Sequence, residues 1–214
     1  MISIFSGSPG SGKSYHATSV IYDSLCFRRR PRPVICNYDL NLPKNADMFH
    51  YVPNDHLTPD RLVDFANDWF GLNPVRQDSI LLVLDEAQLL WNSRLWNEAG
   101  RNSGVTRADG SRSMSWLEFF SQHRHWGYEI ILIAQSAQMV DRQFRSLVEY
   151  DVVHRQFSNF GFVGGLIGAL FLGRLHVAVT RYYGMHERLG SHWFVIRPKI
   201  CRMYDTFATF RGRS

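Results

Sequence analysis

Short apolar runs alternate with amphipathic stretches through the first two thirds of the chain. Met1-Ile2-Ser3-Ile4-Phe5 has the look of a strand, and Ala17, Val20, Ile21 and Leu25 then recur at i, i+3, i+4 and i+8, one face of a helix. A short strand is expected over Val34–Asn37. Thr58-Pro59-Asp60 starts a second helix, with a capping hydroxyl followed by proline at the first helical position. Its stripe of Leu62, Phe65, Ala66, Trp69 and Phe70 is stopped by Gly71. Ile80–Leu84 is apolar throughout, as a parallel strand covered on both faces should be. Ser115 and Glu118 have capping-box spacing and open a helix ending near Gly127; residues 130–134 form another buried strand that ends at Gln135. The polar stretch 102–112 is expected to be a mobile loop.

Strands alternating with helices up to Val148 predict an α/β fold with a mainly parallel sheet, flanking helices and right-handed crossovers. From Tyr150 the period changes. Val177, Val179, Arg181 and Tyr183 alternate with His176, Ala178, Thr180 and Tyr182, Gly184 and Gly190 punctuate, and residues 192–196 supply a partner strand. The expected organisation is a core at 1–150 with a small β-rich subdomain at 151–214 packed on it.

The first strand and helix enclose Gly7-Ser8-Pro9-Gly10-Ser11-Gly12-Lys13-Ser14, a G-x-x-x-x-G-K-[ST] string (Walker A) in strand–loop–helix context. Gly7, Gly10 and Gly12 open backbone conformations in which successive N–H groups converge on an anion, and the helix N-terminus adds positive charge. Lys13 would reach the β- and γ-phosphates, and the Ser14 hydroxyl would bind Mg²⁺. The expected nucleotide-binding set is Gly7 to Ser14 together with Tyr15.

The buried strand Ile80–Leu84 ends in Asp85-Glu86 (Walker B). An acidic residue there can hold Mg²⁺, and the next carboxylate can polarise an attacking water as general base. The plain alternative is that the pair caps a turn. At least one strand and a helix separate the two motifs, which favours ATPases with an added central strand over nucleotide kinases. Gln135 would sit beside the γ-phosphate, or be a surface amide at a strand end. No guanine-selecting N-K-x-D string occurs, so adenine is the expected base and ATP with Mg²⁺ the expected cofactors. Arg94, Arg124, Arg142 and Arg145 are candidates for an arginine finger supplied by a neighbouring subunit; each has a plain reading as a solvated or structural arginine.

Composition narrows the class further. With 214 residues, 45% apolar and 20% charged, the chain can bury a full core and is not expected to be disordered. A net charge of +5 suits phosphate-rich or anionic-lipid partners. Cys26, Cys36 and Cys201 are isolated and odd in number, which argues against a disulfide framework or a zinc site. With a strand expected at the very start, a secretory signal is not expected.

Three features fall outside this frame. The basic run 28–32 is expected to be a solvated turn, or else a contact for an anionic membrane or a DNA backbone. His123 and His125, two apart on a predicted helix, are poorly placed to share a metal; hydrogen bonding within the nucleotide domain, near Glu86, is expected instead. Residues 160–172, as a helix, would span about 20 Å, short of the ~30 Å hydrocarbon layer. They suit a buried hairpin, a subunit interface or a membrane-touching element.

Longer strings carry a family resemblance. Asp85-Glu86-Ala87-Gln88-Leu89-Leu90-Trp91 with Arg94 after it is one, and His123-Arg124-His125-Trp126-Gly127-Tyr128-Glu129-Ile130 leading into Ile133-Ala134-Gln135 is another. With Phe144-Arg145-Ser146-Leu147-Val148 and Met203-Tyr204-Asp205-Thr206, they resemble the zonula occludens toxin (Zot) family, the assembly ATPases of filamentous bacteriophages. The resemblance covers residues 1–158, and 199–207 loosely. It implies a homo-oligomeric ring at the cytoplasmic face of the host inner membrane, acting with other phage assembly proteins. Such a motor helps move single-stranded phage DNA, or its coat complex, into a virion being extruded. Family members usually carry a transmembrane helix and a periplasmic part beyond the ATPase domain, and this chain ends before any such helix. The activity behind the toxin name is not implied. Two other classes stay open: a P-loop kinase acting on a small molecule, and a non-catalytic nucleotide-gated binding module.

Overall fold

The computed structural model describes residues 1–42, 46–91, 112–157, 174–185 and 187–204. Arg94, the apolar segment 160–172 and all of the expected mobile loop except Arg112 lie outside the described residues. The elements run β1 (Ile2–Ser6), α1 (Lys13–Cys26), β2 (Val34–Cys36), β3 (Phe49–Tyr51), α2 (Pro59–Phe70), β4 (Ile80–Leu84), α3 (Ala87–Leu90), α4 (Trp116–Gln122), β5 (Tyr128–Ile133), α5 (Arg142–Arg145), β6 (Tyr150–Gln156), β7 (Leu175–Tyr182), β8 (Arg188–Val195) and α6 (Pro198–Cys201).

These strands form one sheet in the order β3-β2-β4-β5-β1-β6-β7-β8. The first six are mutually parallel, and β7 and β8 add to the β6 edge as antiparallel neighbours. The chain is thus an α/β fold whose mostly parallel sheet is flanked by helices. The β-rich segment after residue 150 continues this sheet: β6 pairs with β1 on one side, and β7 satisfies the backbone groups on its other side.

Local chemistry explains the helix ends. Thr58 Oγ1 accepts the Arg61 N–H at 3.3 Å with Pro59 in the first turn, and Gly71, at a positive φ of 53°, closes α2. Ser115 and Glu118 make both bonds of a capping box. The helix opened there ends at Gln122, and a 3₁₀ turn over His123–Trp126 carries the chain to Gly127. Trp69, placed by periodicity on the apolar stripe of α2, is 45% exposed, whereas Leu62, Ala66 and Phe70 are buried.

Both sheet faces are covered. Ile80, Leu82 and Leu84 point into one layer, which holds an aromatic cluster of Trp91, Trp116, Phe119, Phe120, Tyr128 and Phe144. Leu81 and Val83 point into the other, against Ala17, Ile21 and Leu25 of α1. That two-sided burial is why Ile80–Leu84 has no polar alternation.

The basic run 28–32 divides. Arg28, Arg29 and Arg30 are exposed, and Arg28 and Arg30 line, with Trp69 and Arg76, a cavity of about 440 Å³ at the edge where β2 and β4 begin. Arg32 instead is buried and paired with Glu129 of β5, and it donates to Asp78 O at 2.8 Å. The expectation of a solvated turn is therefore corrected at Arg32, whose charge has a buried partner. Truncating one member of such a pair strands the other, so Glu129→Ala should lower unfolding free energy by about 3–5 kcal/mol in urea titrations.

Candidate nucleotide site

Because β1, β2, β4, β5 and β6 are parallel, the segments that follow them gather along one edge of the sheet, where α/β folds bind ligands. Residues 7–12 wrap that edge between β1 and α1. The Gly7 N–H donates to Gln135 O at 3.2 Å, and the Ser11 N–H donates to Ser8 O at 3.1 Å. Gly7 has no alternative: a Cβ there would lie 2.5 Å from His154 O, and its φ of +144° strains any side chain. Gly12, left-handed at φ 92°, is the N-cap of α1. The loop is a cradle that side chains would fill.

Lys13 Nζ lies over this loop, donating to Gly7 O at 2.8 Å and Ser8 O at 3.1 Å. An ammonium has three N–H groups, so one more can meet an anion. Burial lowers the Lys13 pKa, opposed by the nearby Asp85 and Glu86 carboxylates. Ser14 Oγ donates to Asp85 Oδ2 at 3.0 Å, joining the first turn of α1 to the tip of β4. The other Asp85 oxygen accepts the Glu86 N–H at 2.7 Å. Glu86 occupies a left-handed conformation at φ 50°, heads α3, and accepts a hydrogen bond from the Gln88 amide.

The strand between the two motifs is β5, so β1 and β4 are not adjacent, in line with the interval between motifs. Gln135 follows β5 and touches the glycine loop through its carbonyl, with an exposed side chain. Tyr15 turns away: its hydroxyl donates to Val195 O and accepts the Arg197 N–H, and its ring stacks on Phe194 at 5.6 Å. Arg142 is exposed on α5, after Gln135, while Arg145 Nε is buried without a hydrogen-bond partner among the described residues. Arg124 pairs with Glu149 at 2.6 Å on the opposite edge of the sheet, beside the N-terminus.

His123 hydrogen-bonds within the nucleotide domain as expected, and only its place near Glu86 is corrected. It lies at that far edge, not near Glu86, with Nδ1 2.7 Å from Phe120 O and Nε2 3.1 Å from the Met1 amino group. Burial lowers its pKa. No cluster of metal-binding residues occurs among the described residues.

Asn37 was not marked by any motif. It is fully buried beyond β2, donates to Asp85 O at 2.9 Å and accepts the Asp85 N–H at 2.7 Å, so it holds both backbone groups of the acidic residue. A polar residue directly after an apolar strand run was its only sequence signal.

The donor set suits a hard cation: a hydroxyl and a carboxylate 3.0 Å apart, beside a glycine cradle that suits phosphate. Ser14 and Asp85 would hold Mg²⁺, whose chemistry is to neutralise phosphate charge. Burial, chiefly, and Glu86 raise the Asp85 carboxyl to about 6, against the Glu86 N–H, Ser14 and Lys13, which lower it. A carboxyl must lose its proton to bind a cation. Mg²⁺ affinity is therefore expected to be constant above about pH 7 and to fall by up to about tenfold per pH unit below 6, read by calorimetric titration.

A phosphate cradle after one parallel strand, facing an acidic pair two strands away, makes the chain a nucleotide-binding P-loop NTPase. The family signature described as zonular occludens toxin (Zot) matches residues 1–182, and the chain belongs to that family. It is similar to the gene 1 protein of Enterobacteria phage M13, with 27% identity over 223 positions that cover 95% of this chain and 58% of that protein. The gene 1 protein of Salmonella phage IKe is 30% identical over 139 positions, covering 61% of this chain and 35% of the relative. The chain thus spans little more than half the length of the M13 protein. Among solved structures, the N-terminal domain of zonular occludens toxin from Neisseria meningitidis shares the fold. Its TM-score is 0.55 at 17% identity, with 95% of this chain and 98% of that one covered.

Proposed function

We propose that the chain is a Mg-ATP-dependent motor ATPase that works in filamentous phage assembly, driving extrusion of single-stranded phage DNA through the host inner membrane. The Ser14–Asp85 hydrogen bond carries this reading, because it joins the two halves a hydrolytic site needs. Lys13 and the loop amides grip the triphosphate, Asp85 and Ser14 support the metal, and Glu86 deprotonates water as it attacks the γ-phosphorus. Gln135 orients that water or senses the γ-phosphate. An arginine from a neighbouring subunit completes the charge balance, which requires a ring of identical chains at the cytoplasmic face of the membrane. Gene 1 proteins of filamentous phages among the relatives support the setting. No helix among the described residues is long and apolar enough to cross a membrane.

Steady-state phosphate release, with subunit mass measured alongside, tests the reading. ATP should be hydrolysed with water as acceptor, faster in the assembled ring and in the presence of single-stranded DNA or its coat complex. Phosphate transfer only on adding a small-molecule acceptor would make the protein a kinase. Binding without release in any assembly would make it a nucleotide-gated binding module.

A further inference from the structure

The floor of the phosphate loop comes from the far end of the chain. His154 on β6 lies with its carbonyl beneath Gly7. His176 on β7, 2% exposed, places Nε2 3.3 Å from Gly10 O and Nδ1 3.1 Å from Arg174 O. Its ring lies so close to the loop that a Cβ on Gly12 would be 3.1 Å from His176 Cδ2. Phe194 on β8 stacks on His176 with ring centres 5.8 Å apart and an interplanar angle of 19°.

We propose that His176 is a positioning residue for the phosphate loop, holding it in its gripping shape through an Nε2–H donated to Gly10 O. The proposal rests on the nucleotide reading of this site. Its physical basis is entropy. Glycines lose more backbone freedom on ordering than other residues, so a loop built from Gly7, Gly10 and Gly12 needs bonds that select one conformation. The Gly10–Ser11 peptide is secured at both ends: its carbonyl faces His176, and its N–H donates to Ser8 O. A fixed peptide plane sets the direction of the flanking N–H groups that meet an anion. The ring is held by stacking on Phe194; with the proton of a neutral ring on Nε2, Nδ1 makes no hydrogen bond to the Arg174 carbonyl, so the Gly10 contact is the one the loop depends on.

The same contact joins the nucleotide to the outer strands. Tyr15, one residue beyond Ser14, is tied to Val195 and Arg197 through its hydroxyl and to Phe194 through its ring. Ordering of the loop by nucleotide therefore orders β7 and β8, and by reciprocity a fixed β7 favours nucleotide.

His176→Phe keeps the ring and removes the donor, whereas His176→Gln can restore an N–H near the Nε2 position. Binding of Mg-ATP by calorimetry, steady-state kinetics, thermal midpoints and amide exchange of β7 with and without nucleotide are measured for all three proteins. Loss of one hydrogen bond predicts affinity weakened about five- to tenfold in the Phe variant, with KM raised in step and kcat within about twofold. The Gln variant should fall within about threefold of wild type, and ATP should slow β7 exchange in wild type and much less in the Phe variant. Equal affinity in wild type and the Phe variant overturns the proposal alone, as does equal weakening in both variants, which would implicate ring packing. Where the Phe variant is unfolded, unchanged β7 exchange in wild type on ATP addition overturns it. A wild type that binds no nucleotide overturns the nucleotide reading, and this contact with it.

Discussion

A Glu86→Gln variant binds ATP as tightly as the wild type and releases phosphate at least about 100-fold more slowly. The substitution keeps the side chain's length and its carbonyl oxygen, so the hydrogen bond from the Gln88 amide survives. The Glu86 N–H still reaches Asp85, because that bond belongs to the backbone. What disappears is the negative charge and with it the capacity to take a proton from water. Equilibrium binding measured beside single-turnover phosphate release separates these effects. Normal turnover in this variant would mean that Glu86 only heads α3 and that the base is elsewhere.

Lys13→Ala is expected to abolish measurable ATP binding while leaving the fold intact. The ammonium lies within the glycine cradle, donating to Gly7 O and Ser8 O. Its removal leaves Asp85 and Glu86 without their counter-charge. Since Lys13 is one of the groups holding the Asp85 carboxyl down, that carboxyl should rise further above its present value of about 6. The fold is spared because a cation at the N-terminus of α1 faces the helix dipole unfavourably and Lys13 is not among the buried residues of that helix. Calorimetry with Mg-ATP and a thermal melt without it check both halves. Retained affinity would show that the loop amides alone suffice.

What could be read from the residues followed how local each interaction is. The glycine loop declares itself because its strand, turn and helix are contiguous, and Ile80–Leu84 because burial on both faces removes every polar residue from the run. Helix starts at Thr58 and Ser115 were legible for the same reason, since a cap bonds to a residue three positions on. Contacts between distant segments were not. Asn37 holds Asp85 from 48 positions away, and nothing in a short apolar run announces that. Arg32 resembles its solvated neighbours until β5 brings Glu129 beneath it. His123 was expected to hydrogen-bond, but not at the far edge, because its partner there, the Met1 amino group, is 122 positions distant. The strands from residue 150 onward show their two-residue period plainly, but the edge they join depends on pairing with β1.

The pairing order has a consequence for how the molecule is made. The strand that carries the phosphate loop leaves the ribosome long before the neighbours it pairs with: Ile2 sits beside Ile130, and Ser3 beside Tyr150. Parallel pairing across such separations is slow to form, since the intervening chain must first be closed into a loop. The apolar β1 must therefore wait, unpartnered, until β5 and β6 have been made, and premature termination before β6 would release chains with an open, adhesive central edge.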